Sequence, residues 1–144
     1  MPNEAQGGLP DDVLLNKAAT IERCVARARE EYQSDPASFA VNFTRQDAAI
    51  LNIQRACEAA LDMAQHMVRT KRLGLPQSAR NTFELLAQHG WIELPLAEEL
   101  KKMVGFCNVA VHDYRSLQLP ITFNITTGHL DAFLRISSTL QSKN

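Results

Sequence analysis

Residues 104–114 read VGFCNVAVHDY and gather Cys107, Asn108, His112, Asp113 and Tyr114 into an otherwise apolar run. Histidine is the side chain that titrates nearest neutrality, so His112 is the candidate general base. On a helix, Asn108, His112 and Arg115 fall on one polar row at steps of four and three. Asn108 can then hydrogen-bond the imidazole of His112 and set its tautomer. Leu100, Val104, Cys107, Val111 and Tyr114 make a second stripe with the spacing of a buried face. Cys107 on that stripe reads as a small core residue, with no Lys, Arg or His on its own face to lower its pKa. Asp113 reads as solvated. No second His or carboxylate stands at ligand spacing, so neither a metal site nor a cofactor is expected. Spacing alone leaves both general-base chemistry and an ordinary hydrogen-bonded histidine open.

The elements that must position this row are helical. Asp11 or Asp12 can cap a helix running to about Gln33, with Val13, Leu14, Ile21, Val25 and Ala28 on or near one stripe. Pro36 interrupts the chain within SDPASFAVNF (34–43). Thr44–Asp47 resembles a capping box and opens a run to about Arg72, ending at Gly74 and Pro76. Its apolar residues recur at three- and four-residue steps, and roughly 28 helical residues would span about 42 Å, long enough to be the spine of a bundle. Ser78 or Asn81 starts a third helix that Gly90 stops. Pro95 sits in the first turn of a fourth, which carries the motif. SLQLPITFN (116–124) is a connector with some strand character, and Thr126 or Thr127 caps a fifth helix. The expected fold is an all-α, up-down bundle of four to five helices over 11–144, preceded by a flexible tail at 1–10.

Composition narrows the setting. Fifteen basic and 16 acidic side chains give a net charge of −1, so nucleic-acid binding must come from local clusters rather than a global field. Those clusters are Arg69, Lys71 and Arg72, then Arg80, Lys101, Lys102 and Arg115. Aromatic residues are 6% of the chain, too few for a stacking platform, which favours a phosphate-and-shape mode. Three scattered cysteines with no C-x-x-C fit reduced cytoplasmic thiols. The start lacks the basic and apolar regions of a signal peptide, and no apolar run reaches the ~18 residues a bilayer requires.

MVGFCNVAVHDY (103–114) resembles the signature of the HEPN superfamily, in particular the HepT toxins of HEPN/MNT toxin–antitoxin pairs, M-V-x-x-R-N-x-x-V-H-x-Y. Met103, Val104, Asn108, Val111, His112 and Tyr114 match at the right spacing. Residues 48–68 and 83–106 resemble the family's long second helix and the run leading into its motif. The resemblance implies a HEPN-like fold and a homodimer in which two R-x4-H pairs line one cleft. It implies metal-independent RNA cleavage, with tRNA as the substrate class. His112 would be the general base and Asn108 its neighbour in the site. Tyr114 would be the target of an MNT antitoxin, a minimal nucleotidyltransferase that transfers AMP from ATP to its hydroxyl.

One position departs: Cys107 stands where the family has Arg. Arg stays ionised and offers phosphate a planar fork of donors, whereas Cys offers neither. The expectation is a weakened or inactive ribonuclease. The alternative is a non-catalytic helical module that works only by binding a nucleotidyltransferase. Positions 107 and 112 are also about 140° apart on a straight helix, so either the helix bends or a second protomer completes each site.

Overall fold

The computed structural model describes residues 11–112 and 128–143. The tail at 1–10, the 116–124 connector and the Thr126 or Thr127 cap lie outside them. The described residues form α1 (Asp12–Gln33), α2 (Pro36–Phe39), α3 (Phe43–Thr70), α4 (Ala79–Gln88), α5 (Leu94–His112) and α6 (Asp131–Lys143). The fold is all-helical, and among the described residues there is no strand.

Helix α3 is the spine: it has 28 residues, and each of the other five helices packs on it. Its buried positions, including Ile50, Ile53, Ala56, Cys57, Ala60, Met63, Ala64 and Met67, advance by three and four residues and meet the stripe of α1. Alanine on many of these positions lets the α1 and α3 backbones lie close. Phe83 from α4, Leu100 and Met103 from α5, and Phe133 and Ile136 from α6 complete one continuous core.

The caps explain where each helix begins and ends. Asp11 accepts hydrogen bonds from the Val13 and Leu14 amides at 2.9 and 3.3 Å. Asn42, not the expected Thr44, caps α3. Its extended backbone lets the side chain accept from the Arg45 amide at 3.1 Å, and Thr44 already lies inside the first turn. Pro36 both breaks the chain and starts a single helical turn, since its fixed φ suits the first helical position. Ser78 caps α4, and Gly90, with φ 77°, lets the Trp91 amide reach back to the Leu86 carbonyl at 2.9 Å. Helix α3 stops at Thr70, two residues before the expected Arg72, and Arg72 itself takes the left-handed position (φ 54°).

Asp11 does more than cap. His66 Nε2 lies 2.7 Å from its carboxylate, tying the start of α1 to α3. Burial opposes ionisation, but the His66 hydrogen bond and the Leu14 and Val13 amides outweigh it and hold the carboxyl below the usual carboxylate range. Asp11→Ala is expected to lower stability by about 1–2 kcal/mol in thermal or urea unfolding at pH 7. Because the folded pKa is depressed, this contribution is complete above the unfolded pKa and is lost as pH falls through the folded one. The gap between wild type and variant should therefore begin to shrink below about pH 4 and go on closing as pH falls further; a gap that does not shrink would assign the effect to packing.

Candidate active site

Helix α5 delivers the motif. It runs unbroken through His112, so Cys107 and His112 keep their separation of about 140°. Leu96, Ala97, Leu100, Met103 and Val104 are buried, and Cys107 continues their stripe, packed against the core. Asn108 is exposed on the flank of that stripe. Lys101, Gly105, Asn108 and His112 advance by four, three and four residues along α5, and of these Asn108 is exposed while Lys101 and Gly105 are half-buried. Asn108 and His112 stand four residues apart on α5, one turn of the helix. Tyr114 and Arg115 lie outside the described residues, as do the side chains of 109–112.

The Cys107 thiol faces Cys57 of α3, a partner that the sequence did not reveal. Interaction with the Cys57 thiol, then burial, then the charge of Glu58, push its pKa well above the ordinary thiol range. The thiol therefore stays protonated at neutral pH, which makes it neither a nucleophile nor a cation. A cavity of about 180 Å³ opens beside it, lined by Gln54, Cys57, Glu58, Ala79 and Asn108 among others. Two elements remote in sequence, α3 and the start of α4, thus build the surroundings of the motif. Only their apolar periodicity, not their pairing, could have been read from the sequence.

The candidate RNA-binding cations divide into groups. Lys101 is held by Glu84 and Glu98 at 2.8 and 3.1 Å, which raises its pKa and lowers that of Glu84, where Asn81 contributes as well. Lys71 lies 5.6 Å over the Trp91 ring. Arg69 and Arg72 line an open depression with Gln65, Val68, Leu75 and Pro76 at the end of α3. Lys102 is exposed. Arg80 extends to α5, where its Nη2 would be 2.9 Å from a Cβ added at Gly105. Among the described residues no cluster of three or more His, Cys, Asp and Glu is placed to hold a metal. None of the described helices is long and apolar enough to cross a membrane.

The all-helical bundle, with its spine and a motif helix that carries Asn108 and His112, is HEPN-like. Residues 21–140 match the family described as Ribonuclease HepT-like, and the chain belongs to that family. It is 49% identical over 123 residues to the mRNA nuclease HepT of Shewanella oneidensis strain MR-1, covering 85% of this chain and 92% of that one. A solved toxin–antitoxin structure with AMP-PNP contains a similar chain, with a TM-score of 0.88 and 45% identity, covering 92% of this chain and 99% of the other. A tri-AMPylated S. oneidensis HEPN toxin in complex with MNT antitoxin matches with a TM-score of 0.87 and 45% identity, covering 92% and 98%.

Proposed function

We propose that this chain is the toxin of a HEPN/MNT toxin–antitoxin pair, an RNA endonuclease that needs no metal and is weakened by Cys107. The observation that carries this reading is Asn108 and His112 sharing one row of α5 in a chain so similar to an mRNA nuclease. In the reaction His112 takes the proton of a ribose 2′-OH, and that oxygen attacks the adjacent phosphorus. The bond to the 5′ oxygen breaks and that oxygen takes a proton from water, leaving a 2′,3′-cyclic phosphate and a 5′-hydroxyl end, while His112 returns its proton to solvent. Negative charge builds on the phosphate oxygens in the transition state, where the family's Arg would stabilise it.

Homodimerisation belongs to the same proposal. Positions 107 and 112 diverge on an unbroken helix, so a second protomer is the way to bring a residue at the Arg position toward a His112 row. The likeness to an mRNA nuclease puts mRNA beside tRNA as a substrate to be tried. The test is cleavage of both RNAs in EDTA by the chain and by Cys107→Arg; no cleavage by either overturns the enzyme reading. A non-catalytic module that binds a nucleotidyltransferase is the second reading, favoured by the neutral, half-buried thiol at position 107.

The antitoxin would act at Tyr114, attaching AMP from ATP through the phenol oxygen and releasing pyrophosphate. The added phosphate brings negative charge within two residues of His112 and would repel RNA. Incubation with an MNT-type antitoxin and ATP labelled at the α-phosphate is expected to label this chain, and Tyr114→Phe to abolish the label. Undiminished labelling of Tyr114→Phe would move the modification elsewhere.

A further inference from the structure

The Arg80 guanidinium lies where the side chain of residue 105 would be. A Cβ added at Gly105 would stand 2.9 Å from Nη2 of Arg80, closer than such contacts are found. Gly105 is not among the glycines with positive φ, which are Gly74 and Gly90, so the backbone does not require glycine there. Glycine in a helix interior weakens the helix relative to alanine. What it supplies at 105 is room for Arg80.

Gly105 is on the row of Asn108 and His112, at steps of three and four. Arg80 therefore adds a cation from α4 to a row that α5 alone leaves without a free one. Lys101, one turn earlier on the row, is committed to Glu84 and Glu98. Arg80 is exposed and has no carboxylate partner among the described residues. A guanidinium presented to solvent suits the two oxygens of a phosphodiester.

We infer that Arg80, laid across Gly105, binds an RNA backbone phosphate beside the scissile one. Gly105 and His112 are about 10 Å apart along the helix axis, so the proposal gives Arg80 a phosphate next to the one on which His112 would act. The contact therefore holds substrate and does not stabilise the reacting phosphate. The inference rests on the ribonuclease reading, and its test separates the two.

The first measurement is fluorescence anisotropy of a labelled tRNA and a labelled mRNA fragment with the chain as it stands, between about 50 and 200 mM salt. Arg80→Gln is expected to raise Kd about five- to tenfold and to make the salt slope shallower by about one. Arg80→Lys should keep the slope and part of the affinity. Gly105→Ala should act like Arg80→Gln with no fall in Tm, because only the far end of a flexible side chain must move. In the Cys107→Arg background, Arg80→Gln should raise KM and leave kcat in place. If Cys107→Arg cleaves RNA while Arg80→Gln alters neither KM nor the salt slope, the Arg80 inference alone fails. If the parent chain binds neither RNA at any of these salts, both readings fail.

Discussion

Replacing Cys107 with arginine is expected to raise metal-free RNA cleavage by about 10²–10³-fold, the usual cost of losing one transition-state donor, run in reverse. Position 107 now holds a protonated thiol against Cys57, which can stabilise no phosphate charge. The surroundings can take the longer side chain. The cavity beside Cys107, about 180 Å³, is bordered by Gln54, Glu58 and Asn108, so an arginine can follow it outward past polar groups. Glu58 would give the guanidinium an acidic neighbour as it emerges, which avoids leaving a buried charge unpaired. The measurement compares both purified proteins on tRNA and on mRNA in EDTA, with initial rates followed on gels. Equal cleavage by both would mean that the guanidinium is dispensable and that the proposed charge stabilisation is wrong. Cleavage only by the arginine form would identify Cys107 as the position that disarms the chain.

Much of this architecture was legible in the sequence because helices announce themselves locally. Asp11, Pro36, Ser78, Gly90 and Pro95 each act within one turn of their own position, and their boundaries fall where local chemistry puts them. The misreadings have equally local causes. Asn42 outcompeted Thr44 as a cap because both side chains can accept an amide hydrogen bond and only Asn42 has the extended backbone of a cap. At its other end α3 stops two residues short of the expected Arg72, because Arg72 takes the left-handed position and the Leu73 amide closes onto Val68.

What the sequence withheld is pairing between elements. Nothing in the spacing of Cys57 and Cys107, 50 residues apart, says that their thiols meet; that follows from how α3 and α5 cross. The same is true of Asp11 with His66, and of Arg80 over Gly105. A glycine inside a helix with no backbone reason was the one visible signal for the last contact. The motif row itself was readable, because Asn108 and His112 depend only on helical periodicity.

His112→Ala, made in the Cys107→Arg protein, is expected to remove about 10²–10⁴ of the cleavage rate, the contribution of a positioned general base. The loss should appear in kcat, since proton removal from the 2′-OH belongs to the transition state rather than to RNA binding. Asn108 is proposed to play a different part: it lies one turn before His112 on the same helix and would orient the imidazole. Asn108→Ala should therefore lower kcat less than His112→Ala, with KM unchanged. The double variant should be no slower than His112→Ala alone, because with the imidazole gone there is nothing left for Asn108 to orient. Additive losses would instead give Asn108 its own contact with RNA. A fall in kcat for Asn108→Ala that equals the His112→Ala loss would make the amide, not the imidazole, the group on which the chemistry turns.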